Sequence, residues 1–224
     1  MTQHQDDVGR MAEDYLTVVW KAYEWPGGRP QTTDIADRLG VTPSTVSANL
    51  RRLARDGLVD YEPYGTVTLT ALGEPLAVGL VRRHRIIETY LVERLGLGWD
   101  EVHREADLLE HGVSDVVLAR MDAALGHPRA DPHGDVIPRE GERGSTAAEP
   151  LTAADAGTRV EVVRVSDRSS PILRYLAEKG IRPGAQLTVT SAADQTGAVG
   201  LDLEDRPVEI STTAAAAVWV RLLA

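Results

Sequence analysis

"VTPSTVSANLRRLARDGLVDYEPYGTVTLT", residues 41–70, changes from helical to strand-like patterning within one short stretch. Thr42 followed by Pro43 is a helix start, because a threonine hydroxyl can accept an orphan backbone N–H and proline already holds the first-turn φ. The helix so opened runs to a stop at Gly57 and carries Arg51, Arg52 and Arg55 with no acid before Asp56. Two short alternating runs then flank Pro63-Tyr64-Gly65, which reads as a small hairpin.

Upstream, Val8, Met11, Tyr15, Val18 and Val19 recur at helical spacing and predict a first amphipathic helix over 8–20. The loop "EWPGGRPQTT" ends it, Thr33 and Asp34 cap a short helix through Leu39, and Gly40 stops that helix. Helix, short helix, tight turn, helix and hairpin is the order of a winged helix-turn-helix. An arginine cluster on ordinary packed helices would explain the charge but not the hairpin. Ser44, Thr45, Ser47, Ala48 and Asn49 then occupy the amino-terminal part of the recognition helix, facing base edges or phosphates, while Arg51, Arg52 and the wing at Tyr64 serve the DNA backbone.

The 224 residues suffice for two or three small domains. The absence of cysteine excludes disulfides, thiolate zinc sites, iron–sulfur clusters and cysteine nucleophiles. No signal segment is visible and no apolar run approaches the roughly 18 residues that span a bilayer, so a cytoplasmic protein without a membrane partner is expected. With 24 Lys+Arg against 34 Asp+Glu the net charge is −10, which argues against indiscriminate nucleic-acid binding but allows a locally basic reading head.

A second helical block spans 74–95, where Ala77, Val81, Leu91 and Leu95 mark an apolar stripe that also carries His84 and Glu88, one turn apart. "HREADLLEHGVSD", residues 103–115, reads as a further amphipathic helix with His103, Asp107, Glu110 and His111 within about a quarter-turn of one another. A histidine paired with a glutamate in the core is the plain explanation of one such pair. Three of the chain's six histidines on two consecutive helices instead suggest ligand geometry. From Gly126 the pattern dissolves into Pro, Gly and charge, with His127 and His133 expected in exposed loop. Five strands, "RVEVVRV", "QLTVTSA", "AVGLDL", "PVEIS" and "AVWVRLL", then predict a small β-barrel with one helix, "SPILRYLAEKG", between the first two.

The order of winged helix-turn-helix, "HRIIE", "HREADLLEHGVSD", "DPHGDVIP" and barrel resembles the metal-dependent repressors of the diphtheria toxin repressor family, over nearly the whole chain. The resemblance implies a mainly α chain with a small β part: a DNA-binding domain at 1–72, a helical dimerisation and metal-binding domain at 73–141, a linker at 142–156 and an SH3-like five-stranded barrel at 157–224. It implies a homodimer on double-stranded DNA with a palindromic operator, a repressor rather than an enzyme, and no small-molecule substrate. One metal site maps onto Asp14, Asp107, Glu110 and His111, and the other onto His84, Glu88 and His103. Three departures qualify the carry-over. The iron-sensing branch has methionine and cysteine in place of Asp14 and Asp107, the barrel-free manganese branch has glutamate where Thr17 stands, and "SDRSSP" offers only Asp167 where the iron branch has two barrel ligands.

Carboxylates that repel one another when empty are drawn together by a divalent cation, which would clamp the first helix to the dimer core. Hard oxygen donors point to manganese(II), with iron(II) as the alternative and cobalt(II), zinc(II) or cadmium(II) as substitutes in vitro. Two other classes compete: a metalloenzyme, which would need an open coordination position and a spare general base, and a winged-helix regulator of the same fold responding to an organic ligand.

Overall fold

The computed structural model describes residues 3–25, 28–62, 65–139, 148–192 and 197–223, with side chains from residue 9 onward. The chain divides into two compact units, Met1–His84 with Pro138–Ser145, and Arg85–Ile137 with Thr146–Ala224.

In the first unit α1 (Gln3–Tyr23), α2 (Thr32–Leu39) and α3 (Pro43–Arg55) precede a two-stranded antiparallel hairpin of β1 (Val59–Tyr61) and β2 (Val67–Leu69). The Thr42 side chain accepts the N–H of Thr45 and starts α3, as its sequence predicts. Gly40, at a φ of 64°, turns the chain out of α2 in a left-handed conformation that a β-carbon would disfavour. The start of α2 lies slightly earlier than Thr33: it opens at Thr32, and the Asp34 carboxylate accepts the N–H of Gln31. Tyr15, Leu16, Val19 and Trp20 of α1 pack on Ile35 of α2, on Val46, Leu50 and Leu53 of α3, and on Val59 and Val67 of the hairpin. Leu50 is fully buried, so truncation to alanine would cost about 2–5 kcal/mol. Tyr64 lies outside the described residues.

Helix α4 (Gly73–Leu95) begins in the first unit and continues into the second, which also holds α5 (Val102–Glu110) and α6 (Asp115–Ala124). The single helix expected over 103–115 is therefore two. His111 closes α5, Gly112 follows it, and the Ser114 hydroxyl accepts the N–H of Val117 to open α6. The physical reason is a serine cap two residues beyond a glycine, which ends one helix and starts the next more cheaply than continuing.

The barrel comprises β3 (Glu149–Pro150), β4 (Arg159–Val165), α7 (Ser170–Lys179), β5 (Gln186–Ser191), β6 (Ala198–Leu203), β7 (Arg206–Ser211), α8 (Thr212–Ala215) and β8 (Val218–Leu222). Its antiparallel order is β3-β8-β4-β5-β6-β7, six strands where the alternation predicts five. The additional strand comes from the stretch read as linker. Glu149 and Pro150 pair with Val220 and Trp219, and Leu151 enters the barrel core. Two residues ending in proline carry no alternation, so no periodicity could reveal them. Inside, Val160, Val162, Leu187, Val189, Val199, Leu201, Val218 and Val220 form the core.

Candidate metal centre and nucleic-acid interface

Helix α3 presents Ser44, Thr45, Ala48 and Arg51 to solvent, while Ser47, Asn49 and Arg52 are half-buried. Two of the expected reading residues are engaged within the unit. Asn49 Nδ2 donates to the Tyr15 hydroxyl at 3.1 Å, and the Tyr61 hydroxyl donates to Ser47 Oγ at 3.2 Å. These bonds tie α3 to α1 and to the hairpin, fixing the angle at which its exposed face is offered. Thr42 Oγ1 lies 2.8 Å from Ser44 Oγ and 2.9 Å from Thr45 Oγ1, so both hydroxyls at the helix start are pre-oriented.

Of the first expected ligand set, Asp14 is exposed on α1 in the first unit, and Asp107, Glu110 and His111 belong to the second. There His111 Nε2 lies 3.6 Å from Glu110 Oε1, and Asp107 Oδ2 lies 3.8 Å from His103 Nε2. Of the second set, His84 and Glu88 are buried one turn apart on α4. Glu88 Oε1 is 2.9 Å from His103 Nδ1, and Asp167, just after β4, reaches within 3.9 Å of that same nitrogen.

His133 is not the exposed loop residue that its Pro- and Gly-rich surroundings suggest: it is 1% exposed. Its ring stacks on Trp99 at 5.7 Å, and its Nε2 lies 2.7 Å from the Trp99 carbonyl oxygen. A carbonyl can only accept, so Nε2 carries the proton and, in the neutral ring, Nδ1 keeps its lone pair. Atoms of Glu88, Asp131 and His133 lie within 4.8 Å of one another, all from buried residues. Asp131 and His133 are the candidate ligands that sequence reasoning missed. Their signal was the "DPHGDVIP" stretch itself, read as a family mark rather than as a donor set. His127, by contrast, is exposed as expected, with its Nδ1 3.0 Å from Asp122 Oδ2.

The electrostatics of this group fit a cation. Burial, together with the carboxylates of Asp135 and Glu88, pushes the Asp131 carboxyl up to about 7 against the pull of Arg85 and His133. Burial disfavours charge on His133, but the carboxylates of Asp131, Glu88 and Asp167 outweigh it and raise its proton affinity. A buried carboxyl group that holds its proton up to about 7 marks a donor set short of positive charge. Every donor is oxygen or imidazole nitrogen.

The chain matches the iron dependent repressor N-terminal DNA binding domain over residues 7–67, the iron dependent repressor metal binding and dimerisation domain over 70–139, and the FeoA domain over 149–222. It is 34% identical over 191 residues to the iron-dependent repressor IdeR of Mycobacterium tuberculosis, covering 79% of this chain and 82% of that protein. To the diphtheria toxin repressor of Corynebacterium diphtheriae it is 31% identical over 215 residues, covering 91% and 93%. The solved structure of a manganese-dependent transcriptional repressor in complex with manganese matches with a TM-score of 0.88 and 44% identity, over 95% of this chain and all 100% of that one.

Proposed function

The chain belongs to the diphtheria toxin repressor family and is a metal-dependent, DNA-binding transcriptional repressor with a dimerisation domain, and within that function we propose that manganese(II) is its activating ion. The observation that carries this reading is the donor set. Oxygen donors dominate it and sulfur is absent, a composition that suits manganese better than one with thiolate or thioether ligands. The 44% identity to a manganese-dependent repressor points the same way, while the iron-dependent relatives keep iron(II) as the competing outcome.

Asp14, Asp107, Glu110 and His111 form the regulatory ligand set in this reading. His84, Glu88, His103 and Asp167 form the second, extended through the shared Glu88 by Asp131 and the His133 Nδ1. A divalent cation supplies the positive charge that these carboxylates lack. Asp14 belongs to the DNA-reading unit and its three partners to the other, so a shared ligand set couples metal occupancy to the recognition helix. Ser44, Thr45 and Ala48 meet base edges, and Arg51 and Arg52 meet phosphates. Asn49 and Ser47 act at one remove by holding α3 in place. The two-fold axis of the dimer relates two such helices on a palindromic operator, upstream of genes of metal homeostasis. The target places the protein in the cytoplasm, and among the described residues no helix is long and apolar enough to cross a membrane.

Anaerobic gel shifts on a genomic operator at matched free manganese(II) and iron(II), with a chelator control, test the reading. Retardation with manganese at lower free concentration supports it. Binding unaffected by chelator would overturn metal control altogether.

A further inference from the structure

Within the second unit, four buried ionisable side chains join α4, the loop 131–136 and the barrel strand β4. Arg85 of α4 donates through Nη1 to the Val136 carbonyl at 2.6 Å, places Nη2 3.2 Å from Asp135 Oδ2, and places Nε 3.4 Å from Asp131 Oδ2. The other oxygen of Asp135 pairs with Arg164 Nε of β4. Two arginines thus face two aspartates, and the side chains of Asp135 and Arg164 are each only 8% exposed. Asp131 Oδ1 also accepts the N–H groups of His133 and Asp135, both at 2.9 Å, which anchors the loop backbone to this carboxyl group.

Strand β4 is bent to meet this loop. Its register on β8 shifts between Val162 and Arg164: Val162 faces Val220, Arg164 faces Trp219 and Val165 faces Val218. Without the inserted residue, strict alternation would turn Arg164 to the same side as Val160 and Val162, into the barrel core. The bulge instead gives Val165 to the core and Arg164 to the outer face, where Asp135 meets it. The N–H of Val165 then donates to the His133 carbonyl at 2.8 Å. Asp167 follows only three residues after Arg164.

A buried ion pair is a poor device for stability alone, because desolvation offsets most of the attraction and an apolar pair of equal volume often serves as well. What it provides is direction. We propose that Asp135 and Arg164 are positioning residues: their pair fixes the register in which β4 delivers Asp167 to His103 and His133, and thereby sets the affinity of the second ligand set for its cation. The proposal rests on the reading of Asp167 as a ligand, and its test separates the two.

The full-length protein and its Asp167→Ala, Arg164→Gln, Asp135→Asn, Arg164→Lys and Arg164→Gln/Asp135→Asn variants are titrated with manganese by equilibrium dialysis. Hydrogen exchange of peptides covering 164–169 is followed in the metal-free proteins, with circular dichroism melts to certify folding. Asp167→Ala should weaken one class of manganese sites and spare the other. Arg164→Gln and Asp135→Asn should weaken that same class by about 10- to 100-fold, as loss of an orienting partner does at metal sites, and the double variant by no more than either single. Arg164→Lys should recover part of the loss. Exchange at 164–169 should rise in Arg164→Gln and stay near wild type in Asp167→Ala. Should a buried orphan charge prevent Arg164→Gln from folding, the charge-balanced double variant and Arg164→Lys give the same reading. Wild-type manganese affinity in a folded Arg164→Gln protein, beside a weakened Asp167→Ala, overturns the positioning role and leaves the ligand reading standing. A silent Asp167→Ala overturns the ligand reading, and the positioning role with it.

Discussion

His133 shows how one hydrogen bond can commit a side chain to a task. With Nε2 donating to the Trp99 carbonyl and the ring stacked on that indole, the remaining nitrogen is the one that can take a cation beside Glu88 and Asp131. Replacement by phenylalanine retains the stack and removes the donor. His133→Phe should therefore stay folded and bind manganese at the second set about 10- to 100-fold more weakly, read by equilibrium dialysis. The neighbouring titrations make a second expectation. Asp131 is raised from 3.8 to about 7, and His133 is raised above 6.5, so both hold protons more tightly folded than unfolded. The stability they contribute is fully present below the unfolded values and is lost as pH rises through the folded ones. The metal-free protein should melt at a higher temperature at pH 6 than at pH 8. Asp131→Asn should flatten that slope, and saturating manganese should do so too by replacing the protons. Scanning calorimetry at the two pH values decides it, and a higher melting temperature at pH 8 for the metal-free protein would contradict the assignment.

Elements that carry local signals were legible, and those built by long-range contact were not. Thr42-Pro43, the Gly57 stop and the alternating runs of the hairpin each act on their immediate neighbours, and α3, β1 and β2 form where these signals predict them. The approach of His103 to Glu88 was readable because helical spacing and family motifs share one register. The burial of His133, by contrast, depends on Trp99 and on β4, both far off in sequence, and β3 exists only because β8 offers an edge. Gly134 marks the same long-range dependence. Its φ is +87°, and a β-carbon there would sit 2.1 Å from the Val163 carbonyl oxygen, so the loop lies against β4 only because this residue has no side chain. Gly134→Ala should cost about 1–3 kcal/mol for the backbone strain alone, with the clash added, and chemical denaturation measures the sum. On α3, Arg51 is exposed at the end of the reading face. Arg51→Ala should weaken operator and non-specific DNA alike and lower the salt dependence of binding by about one phosphate contact, checked by titration over a range of ionic strength.

For the molecule as a whole, the proposed division of ligands between units would decide which ion acts. Asp14 belongs to the unit that carries α3, and Asp107, Glu110 and His111 to the unit that carries the dimerisation helices. A metal that binds only the three residues of the second unit gains affinity without regulating anything, because it treats the DNA-competent and incompetent states alike. On the proposed ligand set, activation would require an ion whose preferred coordination draws in Asp14 as the fourth protein ligand. Zinc and cobalt stand above manganese in general affinity order, so tight binding and strong activation need not coincide. Manganese accepts a nearly octahedral, oxygen-rich shell, for which the Asp14 carboxylate is a suitable addition. Asp14→Ala should leave a dimer that still binds manganese at its second set yet gains little operator affinity from it. The paired replacement Asp14→Met with Asp107→Cys should shift activation toward iron(II) and cobalt(II), the softer donors favouring those ions. Anaerobic fluorescence anisotropy on a labelled operator, at buffered free-metal concentrations, compares the three proteins directly. If the unaltered chain binds its operator at lower free iron(II) than free manganese(II), the hard-donor argument fails; if Asp14→Ala responds to manganese like the parent, the coupling through α1 fails instead.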